Sequence, residues 1–138
     1  MSNELIGREI TETQDAIRNA IGYETSLFRP PYGAFRNDTK AVFKEQHLSV
    51  VLWNVDPKDW RSRNREKIFT SVTNQTRNGS IILCHDIQKA TVEALPAILD
   101  TLQAQGYSFS TVSQLCGLPP LKLVTSPVTT STAQVKPQ

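Results

Sequence analysis

The chain has 138 residues, 38% hydrophobic and 20% charged, with 15 Lys+Arg against 13 Asp+Glu and a formal net charge of +2. It is long enough for one domain with its own core, too short for two ordinary ones, and globular rather than disordered in composition. The small, scattered basic excess argues against a nucleic-acid partner, and no apolar run approaches the roughly 20 residues that a membrane span needs.

The first twenty residues have helical periodicity. Leu5, Ile6, Ile10, Ile17 and Ile21 fall roughly on one stripe, and Gly22 is a natural stop. The start, Met1-Ser2-Asn3-Glu4, leads into no apolar stretch, so no secretory signal is read. A domain that opens inside a helix, without a strand or cap before it, suggests that an upstream part is missing. Ser26-Leu27-Phe28 is a short strand candidate, and Pro30-Pro31 forces an extended path away from it. Asn37-Asp38-Thr39 offers an N-cap for a helix to about Glu45. The run Leu48 to Trp53 suits a strand covered on both faces. Asn64 caps a predicted helix to about Arg77, with Ile68 and Val72 inward and Asn78-Gly79 ending it. Ser80 to Cys84 reads as a buried strand, and Thr91 to Gln105 as a helix closed by Gly106, with Pro96 tolerable only near a first turn. Tyr107 to Thr111 is a last short strand, and Val112 to Leu115 a last turn.

Strands alternating with helices of 10–15 residues predict a parallel α/β arrangement, with ligands beyond the carboxyl ends of the strands. Residues 1–117 form the expected domain. From 118 to Gln138 a Pro/Ser/Thr-rich segment without periodicity reads as a flexible tail.

Three strand ends carry unusual polar content. In Phe28-Arg29-Pro30-Pro31-Tyr32-Gly33 the prolines and glycine fix a tight path that can aim a backbone N–H, such as that of Tyr32, at an oxyanion. Arg29 offers a planar fork for a carboxylate. A rigid loop with a surface arginine is the alternative. In Val55-Asp56-Pro57-Lys58-Asp59-Trp60 the two carboxylates could orient a histidine and Trp60 could wall a sugar pocket; a capped turn beside the core is the alternative. In Ile82-Leu83-Cys84-His85-Asp86, His85 stands where a buried strand surfaces, as a general acid or base would, or else is structural. His47 reads as a surface residue. Cys84 reads as a core thiol; pairing it with His85 as nucleophile and base is geometrically poor, because neighbours on a strand point to opposite faces. The two cysteines, Cys84 and Cys116, fit neither a disulfide scaffold nor a zinc knuckle, and whether they pair stays open.

Together and in order, these segments resemble the polysaccharide deacetylases of carbohydrate esterase family four, the chitin and peptidoglycan deacetylase group with the NodB-homology domain. Arg-Pro-Pro-Tyr-Gly at 29–33 is similar to the family's third motif, Asp-Pro-Lys-Asp-Trp at 56–60 to its fourth, and Leu-Cys-His-Asp at 83–86 to its fifth. The last runs on into Thr91-Val92-Glu93-Ala94-Leu95-Pro96. The resemblance implies part of a deformed (β/α) barrel that lacks its N-terminal strands. The implied activity is a metal-dependent hydrolase that removes acetyl groups from glycan containing N-acetylglucosamine. It implies that His85 protonates the departing amine while Asp59 orients and charges it. Trp60 and Leu83 shape the acetyl pocket beside Pro30 and Pro31, Arg29 pairs with the catalytic aspartate, and the Tyr32 N–H supports the oxyanion. It also implies an extracellular or envelope setting.

The family's first two motifs, which supply the aspartate base, a metal-binding aspartate and two histidines four residues apart, are not found. His47 and His85 are the only histidines, and no Thr-Phe-Asp-Asp-Gly string occurs. Bound zinc lowers the pKa of water from ~15.7 to about 7, and a placed base contributes roughly 10²–10⁴-fold. The chain alone is therefore expected to hold no metal and to be inactive, the divalent metal belonging to the complete domain. Exposed edges are expected to be covered by an upstream segment or by self-association. The competing reading is a non-catalytic glycan-binding or regulatory remnant.

Overall fold

The computed structural model describes residues 2–34, 36–119 and 121–124. In chain order the elements are α1 (Asn3–Ile21), β1 (Tyr23–Glu24), β2 (Leu27–Phe28), α2 (Lys40–Glu45), β3 (Ser49–Val50), α3 (Asp59–Ser62), α4 (Arg65–Gln75), α5 (Lys89–Ala104), α6 (Val112–Leu115) and β4 (Lys122–Leu123). They divide into two compact units. One takes the described residues of Met1–Phe28, Ala34–Val50 and Pro120–Gln138, and the other takes Arg29–Gly33 and Val51–Pro119.

In the first unit, α1 buries Ile10 against Val42, Phe43 and Leu48, with Ile6, Phe28 and Val50 packed around them. Phe28 and Phe43 meet with ring centroids 4.9 Å apart and planes tilted by 31°, a geometry that favours ring quadrupoles. β2 and β3 pair in parallel, Leu27 opposite Ser49 and Phe28 opposite Val50. β1 and β4 pair antiparallel, Tyr23 opposite Leu123. α1 ends where predicted: Gly22 takes φ 71 and donates to the Arg18 carbonyl, a left-handed cap that costs glycine nothing.

In the second unit, α4 and α5 are joined by five almost fully buried side chains: Ile68 and Val72 on one helix, Ala94, Ile98 and Leu102 on the other. Both sets recur every four residues, so each makes one face of a helix. Each large member contributes about 1.5–3 kcal/mol on burial. Asn64 caps α4 by accepting from the Lys67 N–H, as expected from its place before the apolar periodicity. The frame of the unit is a parallel bridge between Val55 and Ile82. The Leu83 N–H donates to the Val55 carbonyl at 2.9 Å, and the Asn54 side chain accepts from the Ile81 N–H at 2.8 Å. Because the two segments run the same way, the residues that follow them, 56–60 and 84–86, emerge at the same end.

Several sequence expectations are corrected. Ser2 does cap α1, its hydroxyl accepting from the Leu5 N–H. Thr39 caps nothing; its hydroxyl donates to the Arg36 carbonyl, and a 3-10 turn over Asn37–Thr39 leads into α2. The run 48–53 is not a strand buried on both faces: only Ser49–Val50 pair, and Leu52 is exposed. Likewise 80–84 contributes one bridge rather than a strand, and 107–111 pairs with no strand among the described residues. Tyr107 is held instead by its N–H to the Leu102 carbonyl and its hydroxyl to the Thr76 carbonyl. Apolar runs report burial, but pairing needs a partner elsewhere in the chain, which no local pattern shows. Pro96 sits in the interior of α5, not its first turn. It lies on the exposed side of the helix, where solvent can satisfy the carbonyl left without its usual donor. Lys122–Leu123, inside the segment read as a tail, form β4. The rest of that segment from 125 onward lies outside the described residues.

Candidate active site

The turn after Val55 is tight. Asp56 Oδ1 accepts from the Lys58 N–H at 2.8 Å, Pro57 is buried, and Lys58 takes φ 50. An aspartate bonding two residues ahead is the usual way to close such a turn, so Asp56 shapes the loop that delivers Asp59. The next residues turn into α3, and Asp59 is driven inward with no solvent exposure.

Four donors meet its carboxylate. Oδ1 accepts from the Trp60 N–H at 2.9 Å and lies 2.7 Å from His85 Nδ1. Oδ2 accepts from the His85 N–H at 2.8 Å and from the Thr91 hydroxyl at 2.8 Å. A carboxylate offers about four lone-pair sites, so Asp59 is saturated. Burial pushes its carboxyl up. The hydrogen bonds from the His85 ring, the Thr91 hydroxyl and the backbone N–H groups of His85 and Trp60 outweigh that and hold it below its ordinary value. An ionised carboxylate only accepts, so Nδ1 of His85 carries the hydrogen. Nε2 makes no protein hydrogen bond among the described residues. The imidazole is 30% exposed, and one nitrogen is thus free for a reactant while the other is fixed.

Of the other predicted site residues, Leu83 is buried and Trp60 half exposed, both flanking the Asp59–His85 pair in sequence. Pro30 is buried and Pro31 exposed. Tyr32 takes φ 58 with its side chain fully in solvent, and the Gly33 N–H closes the turn on the Pro30 carbonyl at 3.0 Å. Arg29 is exposed and stacks over the Trp53 ring, 6.0 Å from its centroid, within cation–π range. Among the described residues it forms no ion pair, and Asp59 has no acceptor left to offer it. The structure therefore brings Asp59 and His85 together and sets Arg29 against the Trp53 ring. Sequence reasoning missed the role of Thr91, which it used as a helix start and as part of the run that continues the fifth motif. Its burial and its distant partner are visible only in the packed structure.

His47 is exposed with φ 53. Cys84 and Cys116 are both free thiols. Burial, then the negative charge of Asp59 and of Asp56, pushes the Cys84 thiol up to about 11, which is the wrong direction for a nucleophile at neutral pH. No group of three or more His, Cys, Asp or Glu among the described residues is placed to hold a metal ion. The described residues do not fit such an ion.

A parallel α/β frame carries a buried carboxylate and a part-exposed imidazole to one end, the pair of groups that general acid–base chemistry uses. The family profile described as polysaccharide deacetylase matches residues 1–51. The chain is 42% identical over 108 residues to the peptidoglycan-N-acetylmuramic acid deacetylase PdaC of Bacillus subtilis, covering 78% of this chain and 22% of that protein. It is 37% identical over 116 residues to the peptidoglycan-N-acetylglucosamine deacetylase PgdA of Listeria monocytogenes, covering 84% and 24%. The solved structure of PdaC superposes with a TM-score of 0.78 at 38% identity, covering 85% of this chain and 56% of that one. BA3943, described as a family pseudoenzyme from Bacillus anthracis, superposes at 0.79 with 26% identity, covering 83% and 41%. The chain belongs to the polysaccharide deacetylases of carbohydrate esterase family 4, and its fold is a part of their (β/α) barrel. It spans less than a quarter of the length of these two curated relatives.

Proposed function

We propose that this chain supplies the leaving-group half of a polysaccharide N-deacetylase site, acting on envelope glycan that contains N-acetylglucosamine. The observation that carries this is the saturated Asp59 carboxylate holding Nδ1 of His85 at 2.7 Å. With Nδ1 committed, Nε2 is the atom that delivers a proton to the departing amine, and Asp59 supports the positive charge that the ring carries beforehand. Trp60 and Leu83 wall the acetyl group, and the Tyr32 N–H supports the developing oxyanion. Arg29, stacked on Trp53, reaches a carboxylate outside this chain. The family's divalent metal and its base come from residues outside the chain as well. Water activation is then absent here, and the chain alone turns over no substrate.

Complementation tests the reading. The chain is mixed with a segment of PdaC carrying the Asp-Asp and His-x-x-x-His motifs, with zinc or cobalt and an N-acetylglucosamine oligomer. Acetate release is expected from the mixture, not from the chain alone, and is lost with His85→Ala. Turnover by the chain alone, or restored turnover that survives His85→Ala, overturns it.

A second reading, a glycan-binding remnant without catalysis, is favoured by the lack of a metal-ligand set among the described residues and by similarity to a protein described as a pseudoenzyme. It predicts zinc-independent binding of chitooligosaccharides or peptidoglycan fragments. A flat titration removes it.

A further inference from the structure

We infer that Thr91 is a positioning residue for the Asp59–His85 pair, acting through its hydroxyl rather than as core filling; this rests on the acid–base reading of that pair. Thr91 stands in the first turn of α5, where its backbone N–H is already engaged by the Gln88 carbonyl at 2.9 Å. Its side chain is therefore not needed to cap the helix. The hydroxyl instead crosses to Asp59 Oδ2 at 2.8 Å, a bond 32 residues long in sequence and buried at both ends.

The other three donors to Asp59 come from its own neighbour Trp60 or from His85 itself. None of them fixes the carboxylate to the α4–α5 core. Thr91 does. It lies one helical turn before Ala94, which is fully buried in that core, so the rigid packing of α5 is transmitted to the carboxylate through one oxygen. Without that bond Oδ2 keeps a single donor, and the carboxylate plane is held only by the loop it is meant to organise. Asp59 itself has no solvent exposure, so solvent does not readily replace the lost donor, and an ionised oxygen short of a donor is costly.

A threonine on the first turn of a helix is ordinarily exposed and hydrogen-bonded to its own backbone. Here both features are reversed, with Thr91 buried and its hydroxyl given to a distant carboxylate. Valine has the same shape and lacks only the donor, so the substitution separates positioning from packing.

The experiment is carbon-detected NMR of the 138-residue chain, following the Asp59 carboxyl through acid. In Thr91→Val the midpoint is expected to rise by about one pH unit, a tenfold change in the acid constant. Thr91→Ser, which keeps the hydroxyl, returns the midpoint to the wild-type position. A folded Thr91→Val chain with an unchanged midpoint overturns the inference. Should that variant fail to fold, the wild-type chain still decides. A hydroxyl held on a buried carboxylate exchanges slowly enough to show its own proton resonance with cross-peaks to His85, and rapid exchange with solvent overturns the inference. Neither readout needs turnover, so loss of the deacetylase reading and loss of this one are separately visible.

Discussion

Asp59 and His85 hold each other at two points: the His85 backbone N–H donates to Oδ2 at 2.8 Å, and the ring Nδ1 lies 2.7 Å from Oδ1. One contact sets where the strand end passes, and the other sets how the ring is turned. A rotation of the carboxylate would break both, which ties the conformation of the 84–86 segment to the orientation of its imidazole. The pair therefore contributes to stability as well as to the placement of the imidazole.

The acid stability of the chain should carry the mark of Asp59. Its carboxyl is held below its ordinary value in the folded state because the donors outweigh burial. A depressed folded value means that the contribution is complete above the unfolded value near 3.9 and is lost as pH falls through the folded one. Urea unfolding of the wild type should thus be flat from neutral pH to about 5 and decline below about 4. Asp59→Asn places an amide hydrogen against a donor and should cost about 2–3 kcal/mol at pH 7. The gap between the two proteins should shrink in acid; a constant gap would show that the charge of Asp59 is not what stabilises the site.

Cysteine labelling separates the two thiols. With its thiol pushed up to about 11, Cys84 is roughly 1 part in 1,000 thiolate at pH 8, and it is half buried. Cys116 is exposed. Iodoacetamide at pH 8 should modify Cys116 first, with labelling of Cys84 still accelerating at pH 10, as read by peptide mass spectrometry. Comparable rates at pH 8 would mean that the site admits solvent more freely than the packing shows.

Much of this was legible in the sequence because it rested on local chemistry. Gly22 and Asn64 mark helix ends through cap rules that need no distant partner, and Ile68 and Val72 declare a buried face through spacing alone. Asp59 and His85 stood out because polar residues follow apolar runs at both positions. Strand extents were not legible. Leu52 is as apolar as Leu83, yet it is exposed while Leu83 is buried, and only the register of Val55 against Ile82 decides between them. Thr91 was hidden for the same reason: the distance from its hydroxyl to Asp59 depends on how α5 packs, and nothing in the residues beside it reports that. Arg29 was legible as an exposed donor, but its stacking on Trp53 was not, because Trp53 lies 24 positions away and reaches it through the turn at Gly33.

That turn supplies the last prediction. Gly33 takes φ +66, and a Cβ built there would lie 3.1 Å from Trp53 Cη2. Gly33→Ala should therefore carry two costs. The left-handed backbone is worth about 1–2 kcal/mol for a residue with a side chain, and the indole must also move or the turn must open. Gly117 offers a control in the same unit, since it has φ +62 but nothing within 4 Å of the same added atom. Gly117→Ala should show the backbone cost alone. Urea midpoints of the two variants should differ, with Gly33→Ala the lower, and only that variant should shift tryptophan emission as Trp53 is displaced from beneath Arg29. If the two substitutions cost the same and leave the emission unchanged, the Gly33–Trp53 approach is slack, and the stacking of Arg29 on Trp53 is not what fixes the guanidinium at this edge.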